Sequence, residues 1–93
     1  MRLNPCQQFG LKVKELRAEA EVTQEDLAER VGVFRTYMSR IETGEANPTL
    51  TVIHAVAGAL DVDVRRLFEP ASPAAKRARA KAKPNSSRGR VTK

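Results

Sequence analysis

Apolar residues in the first third of the chain recur at intervals of three and four: Cys6, Phe9, Val13, Leu16 and Ala20. That spacing lines one stripe of an α-helix and turns Lys12, Lys14, Glu15 and Glu19 toward water. Asn4, Pro5 and Gln7 form a start signal: Asn caps from its side chain, Pro tolerates the first helical position, and Gln reaches back to the cap. The first helix is therefore expected from Pro5 to about Ala20. Thr23 followed by Asp26 opens a second, with Glu25 and Asp26 at the positive end of the helix dipole, Leu27, Ala28 and Val31 inward, and Gly32 suited to a left-handed cap. Phe34, Met38 and Ile41 start a new apolar set about three residues later, ending at Gly44 and a turn through Ala46, Asn47 and Pro48. Thr49 caps a fourth helix carrying Leu50, Ile53, Ala57 and Leu60, and Asp63 a short fifth with Val64, Leu67 and Phe68, stopped by Pro70 and Pro73. Val62 to Val64 is too short to read as a strand.

The pattern ends there. From Ala71 the large apolar residues give way to Ala, Lys, Arg, Ser and Pro, a composition that buries too little surface to offset the entropy of ordering. The sequence thus divides into a helical domain over 1–70 and a disordered basic tail over 71–93. Charge divides with it. The 93 residues carry a net charge of +6, yet residues 1–70 hold nine Lys/Arg against eleven Asp/Glu, and residues 71–93 hold eight Lys/Arg and no acid. One His, one Cys and no Trp leave little material for a catalytic cleft or a multi-ligand metal site, so an enzyme and a metal or other cofactor are not expected. His54, near the core stripe of the fourth helix, has no second His or paired Cys to share a metal. Cys6 lies on the apolar stripe and reads as a small buried hydrophobe. No apolar run approaches the ~20 residues of a membrane span, and the N-terminus lacks the apolar core of a secretion signal; a cytoplasmic, nucleoid-associated protein without membrane contact is expected.

Two short helices joined by a three-residue turn containing Gly form a helix-turn-helix unit, whose second helix enters the DNA major groove. With Phe34, Met38 and Ile41 facing the core, a rotation of 100° per residue sends Arg35, Thr36, Ser39, Arg40 and Thr43 outward. Arg35 and Arg40 are the candidate base readers, because a guanidinium bonds guanine O6 and N7 together; Thr36 offers a hydroxyl to a base or phosphate, or a methyl to thymine, and Ser39 a hydroxyl.

The residues Thr23-Gln24-Glu25-Asp26-Leu27-Ala28, Gly32-Val33, Tyr37-Met38-Ser39-Arg40-Ile41-Glu42 with Gly44, and Pro48-Thr49-Leu50 through Leu60-Asp61-Val62 to Leu67-Phe68 resemble the Cro and lambda-repressor type (xenobiotic-response-element) helix-turn-helix family. The resemblance covers roughly residues 6 to 69, and Arg35-Thr36-Tyr37 is similar to controller proteins of restriction and modification systems. It implies an all-α, compact five-helix bundle that binds double-stranded DNA. It further implies phosphate contacts by Gln24, Tyr37, Thr43 and Asn47, and a partly buried ion pair between Arg17 and Glu42.

Three residues depart from the family pattern. Phe34 stands where a capping Ser, Thr or Asp is usual, either as an apolar staple or as a contact to a thymine methyl. Gly58 weakens the fourth helix, and Asp61 replaces the glycine common at its end. In the tail, Lys76, Arg77, Arg79, Lys81 and Lys83 alternate with alanine and suit non-specific phosphate contacts. The function expected is a sequence-specific transcription regulator, a repressor, acting as a homodimer on two half-sites, since one short helix reads few bases. The alternatives are an antitoxin-like module with a protein partner and its own promoter as targets, and a tail-driven non-specific nucleic-acid binder.

Overall fold

The computed structural model of the chain describes residues 2–72. Four α-helices follow one another, α1 (Pro5–Glu19), α2 (Gln24–Val31), α3 (Arg35–Thr43) and α4 (Leu50–Leu60), and then a 3-10 helix, Val64–Phe68. No strand occurs among the described residues. The all-helical expectation holds, but the fifth element is 3-10 rather than α. Asp63 caps it as expected: its Oδ1 accepts from the Arg65 N–H at 2.9 Å. Hydrogen bonds from the Arg65 side chain and backbone hold the Asp63 carboxyl down at about 2.

The other starts follow from the cap residues. Asn4 and Gln7 form the reciprocal box, with Gln7 N–H to Asn4 Oδ1 at 2.8 Å and Asn4 N–H to Gln7 Oε1 at 3.0 Å. Thr23 accepts from Asp26 N–H and Thr49 from Val52 N–H. Gly32 and Gly44 end α2 and α3 with φ of 92° and 86°, and Asp61 ends α4 at φ 57°, a conformation Asp tolerates better than most side chains.

α3 packs on α1 and α2, α4 on α2 and the 3-10 helix, and the 3-10 helix back on α1. Val13, Leu27, Met38, Ile41, Val56 and Leu67 are fully buried at the centre. Several expected positions move. Lys12 is buried, not in water, and its ammonium lies 3.2 Å from Glu15 and 3.7 Å from Glu69. The cause is the 3-10 helix, which covers a side of α1 that the apolar stripe leaves open. Ala20 is exposed beyond the end of α1, and Cys6 is half-buried. Leu50 is 68% exposed because the first turn of α4 projects from the bundle; burial grows along the helix to Val56, Ala57 and Leu60. Phe68 is exposed on one side and meets Phe9 at a ring separation of 5.6 Å. His54 faces solvent rather than the core. Beyond Pro70, Ala71 is buried and the Ser72 N–H approaches Glu15 at 3.4 Å, so two residues with tail-like composition pack on α1.

α1 and α3 cross at Gly10, where a methyl group would meet the carbonyl oxygens of Ile41 and Glu42. Neither can yield without breaking helical geometry. Gly10→Ala is therefore expected to destabilise the domain by about 2 kcal/mol or more, a fall of roughly 10 °C in Tm, measurable by circular dichroism. Burial raises the Glu15 pKa, but hydrogen bonds from Ser72 and Lys12 outweigh it and hold the carboxyl below its usual value of 4.5. A carboxylate with a lowered folded pKa adds stability above its unfolded value that is lost as pH falls through the folded one. Glu15→Gln is expected to lower Tm at pH 7 and to lose less on acidification from pH 5 to pH 3 than the native chain does.

Candidate nucleic-acid interface

The position of α3 is set from behind. Glu42, only 3% exposed, receives two hydrogen bonds from Arg17 of α1, Nε to Oε2 at 2.7 Å and Nη2 to Oε1 at 3.1 Å. The remaining Nη1 of Arg17 donates to the Val22 carbonyl oxygen at 3.0 Å, in the turn before α2. A bidentate pair of this kind fixes two planes relative to each other, which a single point contact does not. Glu42 Oε1 also accepts from Gln24 Nε2 at 3.0 Å, and Gln24 Oε1 in turn accepts from Arg35 Nη1 at 3.3 Å. One chain of hydrogen bonds thus runs from α1 through the end of α3 and the start of α2 to the first residue of α3.

Arg35, Thr36, Arg40 and Thr43 are exposed and Ser39 is half-buried, so four of the five side chains expected to turn outward do so fully; of the three expected to face the core, Met38 and Ile41 are buried and Phe34 is not. Arg40 lies 3.8 Å from Glu45, with both side chains largely in water, so the pair holds Arg40 weakly. Thr43 Oγ1 donates to the Arg40 carbonyl at 3.2 Å. Tyr37 is half-buried against the core and Asn47 is exposed in the following turn. Phe34 is 86% exposed and makes no capping hydrogen bond, which excludes the staple. That role falls to its neighbour: Val33 packs against the core to which Met38, in the second turn of α3, belongs. Lys76, Arg77, Arg79, Lys81 and Lys83 lie outside the described residues.

The sequence points to Gln24 only as a phosphate contact. Its link to both Glu42 and Arg35 was missed, although the signal was there: a short turn between α2 and α3 brings the first turns of the two helices close. Gly10 was missed as well, since a small residue within an apolar stripe draws no notice until a second helix lies on it.

Residues 8–68 match the helix-turn-helix domain family. The chain belongs to it. The helix-turn-helix domain is similar to the immunity repressor protein of Bacillus phage phi105, at 42% identity over 55 residues; the match spans 59% of this chain and 38% of the phage protein. It is also similar to the control protein C.MunI of a Mycoplasma species, at 36% identity over 61 residues, covering 64% of this chain and 82% of the relative. Among solved structures, the restriction-modification controller protein C.AhdI from Aeromonas hydrophila superposes with a TM-score of 0.67 at 38% identity, over 68% of this chain and 96% of that one. No helix among the described residues is long and apolar enough to cross a membrane.

Removing Arg17 from the helix-turn-helix domain leaves the buried Glu42 carboxylate without its guanidinium counter-charge. Arg17→Ala is expected to cost about 3 kcal/mol or more, a drop in Tm of well over ~10 °C, and Arg17→Lys to recover only part because a single ammonium cannot make the two parallel bonds. An unchanged melting midpoint in Arg17→Ala would show that the pair does not hold the fold.

Proposed function

We propose that this chain is a sequence-specific DNA-binding transcription regulator that acts as a homodimer, with α3 in the major groove. The observation that carries the reading is the row of exposed Arg35, Thr36 and Arg40 with half-buried Ser39, on a short helix whose position is fixed by the partly buried Arg17–Glu42 pair. Preset orientation is what base reading requires, because a guanidinium bonds guanine O6 and N7 only from a narrow range of angles. Arg35 and Arg40 read guanine edges; Thr36 and Ser39 contact bases through their hydroxyls. Tyr37, Thr43 and Asn47 hold the phosphate backbone beside them, and Gln24, already joined to Arg35, approaches a phosphate at the start of α2.

A nine-residue helix reads too few base pairs for genomic specificity, so two copies on two half-sites are needed. Repression by occupying a promoter suits such a protein, and the relatives named as an immunity repressor and as a control protein support it. Residues 1–70 are slightly acidic, so attraction to DNA comes from the local basic face of α3 and from the tail cations Lys76, Arg77, Arg79, Lys81 and Lys83, which add phosphate contacts without sequence choice.

In-vitro selection of duplex DNA separates these contributions. The full chain is expected to enrich a two-fold-symmetric motif with half-sites about one helical turn apart. Arg35→Ala is expected to lose roughly 10-fold or more per half-site and to relax preference at one guanine. A chain ending at Ser72 is expected to keep the motif while the slope of log affinity against log salt falls by about 0.9 for each phosphate that the tail had neutralised. Binding without an enriched motif that vanishes with residues 73–93 would contradict the reading.

A further inference from the structure

Among the described residues Phe34 is the most exposed of the large apolar side chains, and it stands at the cap of the helix that presents Arg35 and Thr36. Its ring serves neither packing nor capping in the domain by itself. The position forgoes the roughly 1 kcal/mol of helix stabilisation that a Ser, Thr or Asp would supply there, and it leaves a phenyl group in water at the edge of the proposed reading surface. In the major groove the base edges present hydrogen-bond donors, acceptors and one apolar group, the C5-methyl of a pyrimidine. A phenyl ring laid on a donor or acceptor strips it of water and returns nothing, whereas a methyl gains by being covered.

We propose that Phe34 is a specificity-determining residue that receives the C5-methyl group of a pyrimidine, thymine or 5-methylcytosine, within one or two base pairs of the guanine taken by Arg35. The proposal rests on the reading of α3 as the recognition helix and deepens it. The distance follows from geometry: consecutive Cα atoms are about 3.8 Å apart and base pairs about 3.4 Å, so adjacent residues meet the same or neighbouring pairs. Arg35 starts from a defined place at the first turn of α3, where Gln24, itself held by Glu42, accepts from its guanidinium at 3.3 Å. The ring beside it therefore meets a defined step of the site, and covering one methyl there corresponds to roughly fourfold in affinity per half-site.

The test uses the full chain and the duplex obtained by selection. Each thymine is replaced in turn by deoxyuridine and each cytosine by 5-methylcytosine, and affinity is read by fluorescence anisotropy for the native protein and for Phe34→Ser, which offers the helix a capping hydroxyl and so retains the fold. At one pyrimidine in each half-site, removing the methyl from thymine or adding it to cytosine is expected to change native affinity about fourfold in the direction that favours the methyl, with the response absent in Phe34→Ser. A response to deoxyuridine identifies thymine as the source of the group; a response only to the added methyl identifies 5-methylcytosine. A motif still bound, with methyl responses that are absent or equal in the two proteins, overturns the proposal and leaves α3 as the reading helix. Failure to enrich any motif removes the reading of α3 and the proposal together.

Discussion

The Arg17–Glu42 pair is the constraint on which the arrangement of the helices depends. Two charges taken largely out of water are costly unless they are paired and hydrogen-bonded, and here the bonds join three elements: Arg17 from α1, the Val22 carbonyl before α2, and Glu42 near the end of α3, which also accepts from Gln24 of α2. Apolar packing around Met38 and Ile41 tells α3 which face to bury but tolerates small rotations. The directional bonds of a guanidinium–carboxylate pair do not. What the pair adds is therefore precision in the angle at which Arg35, Thr36 and Arg40 leave the surface.

Other features work toward the same end. Gly10 removes the side chain that would separate α1 from the last turn of α3, so the ion pair closes at short range. Gly44 ends α3 in the left-handed conformation and lies against Gln7, part of the box that starts α1. On the far side of α1, Lys12 with Glu15 and Glu69 fastens the segment after the 3-10 helix, and Ser72 joins them through its backbone.

Much of this fold is legible in the sequence because its elements are short and bounded by strong local signals. Asn4, Thr23, Thr49 and Asp63 cap where they were expected to, and Gly32 and Gly44 terminate. Periodicity failed where burial depends on residues distant along the chain. Lys12 has a polar side chain on the outer side of a readable stripe, and besides the nearby Glu15 its second carboxylate, Glu69, is more than fifty residues away, next to the 3-10 helix that covers it. Leu50 keeps perfect register with Ala57 and is exposed nonetheless, since a stripe carries no information about where the neighbouring helix stops. Phe34 shows the converse: its apolar character suggests packing, and its 86% exposure points outward to whatever covers α3. The outward residues of α3 were legible from the inward Met38 and Ile41 even though Phe34 does not join them, while the Gln24 bridge needed the two helix starts side by side.

In the proposed reading, the outward face of α3, held in place by the Arg17–Glu42 pair, meets the bases. Amide chemical-shift mapping of the full chain, titrated with its selected duplex, locates the surface that does so. The largest changes are expected on residues 34–43, on Gln24 and on Asn47. Changes concentrated on α4 and the 3-10 helix, or confined to residues beyond Ser72, would contradict it.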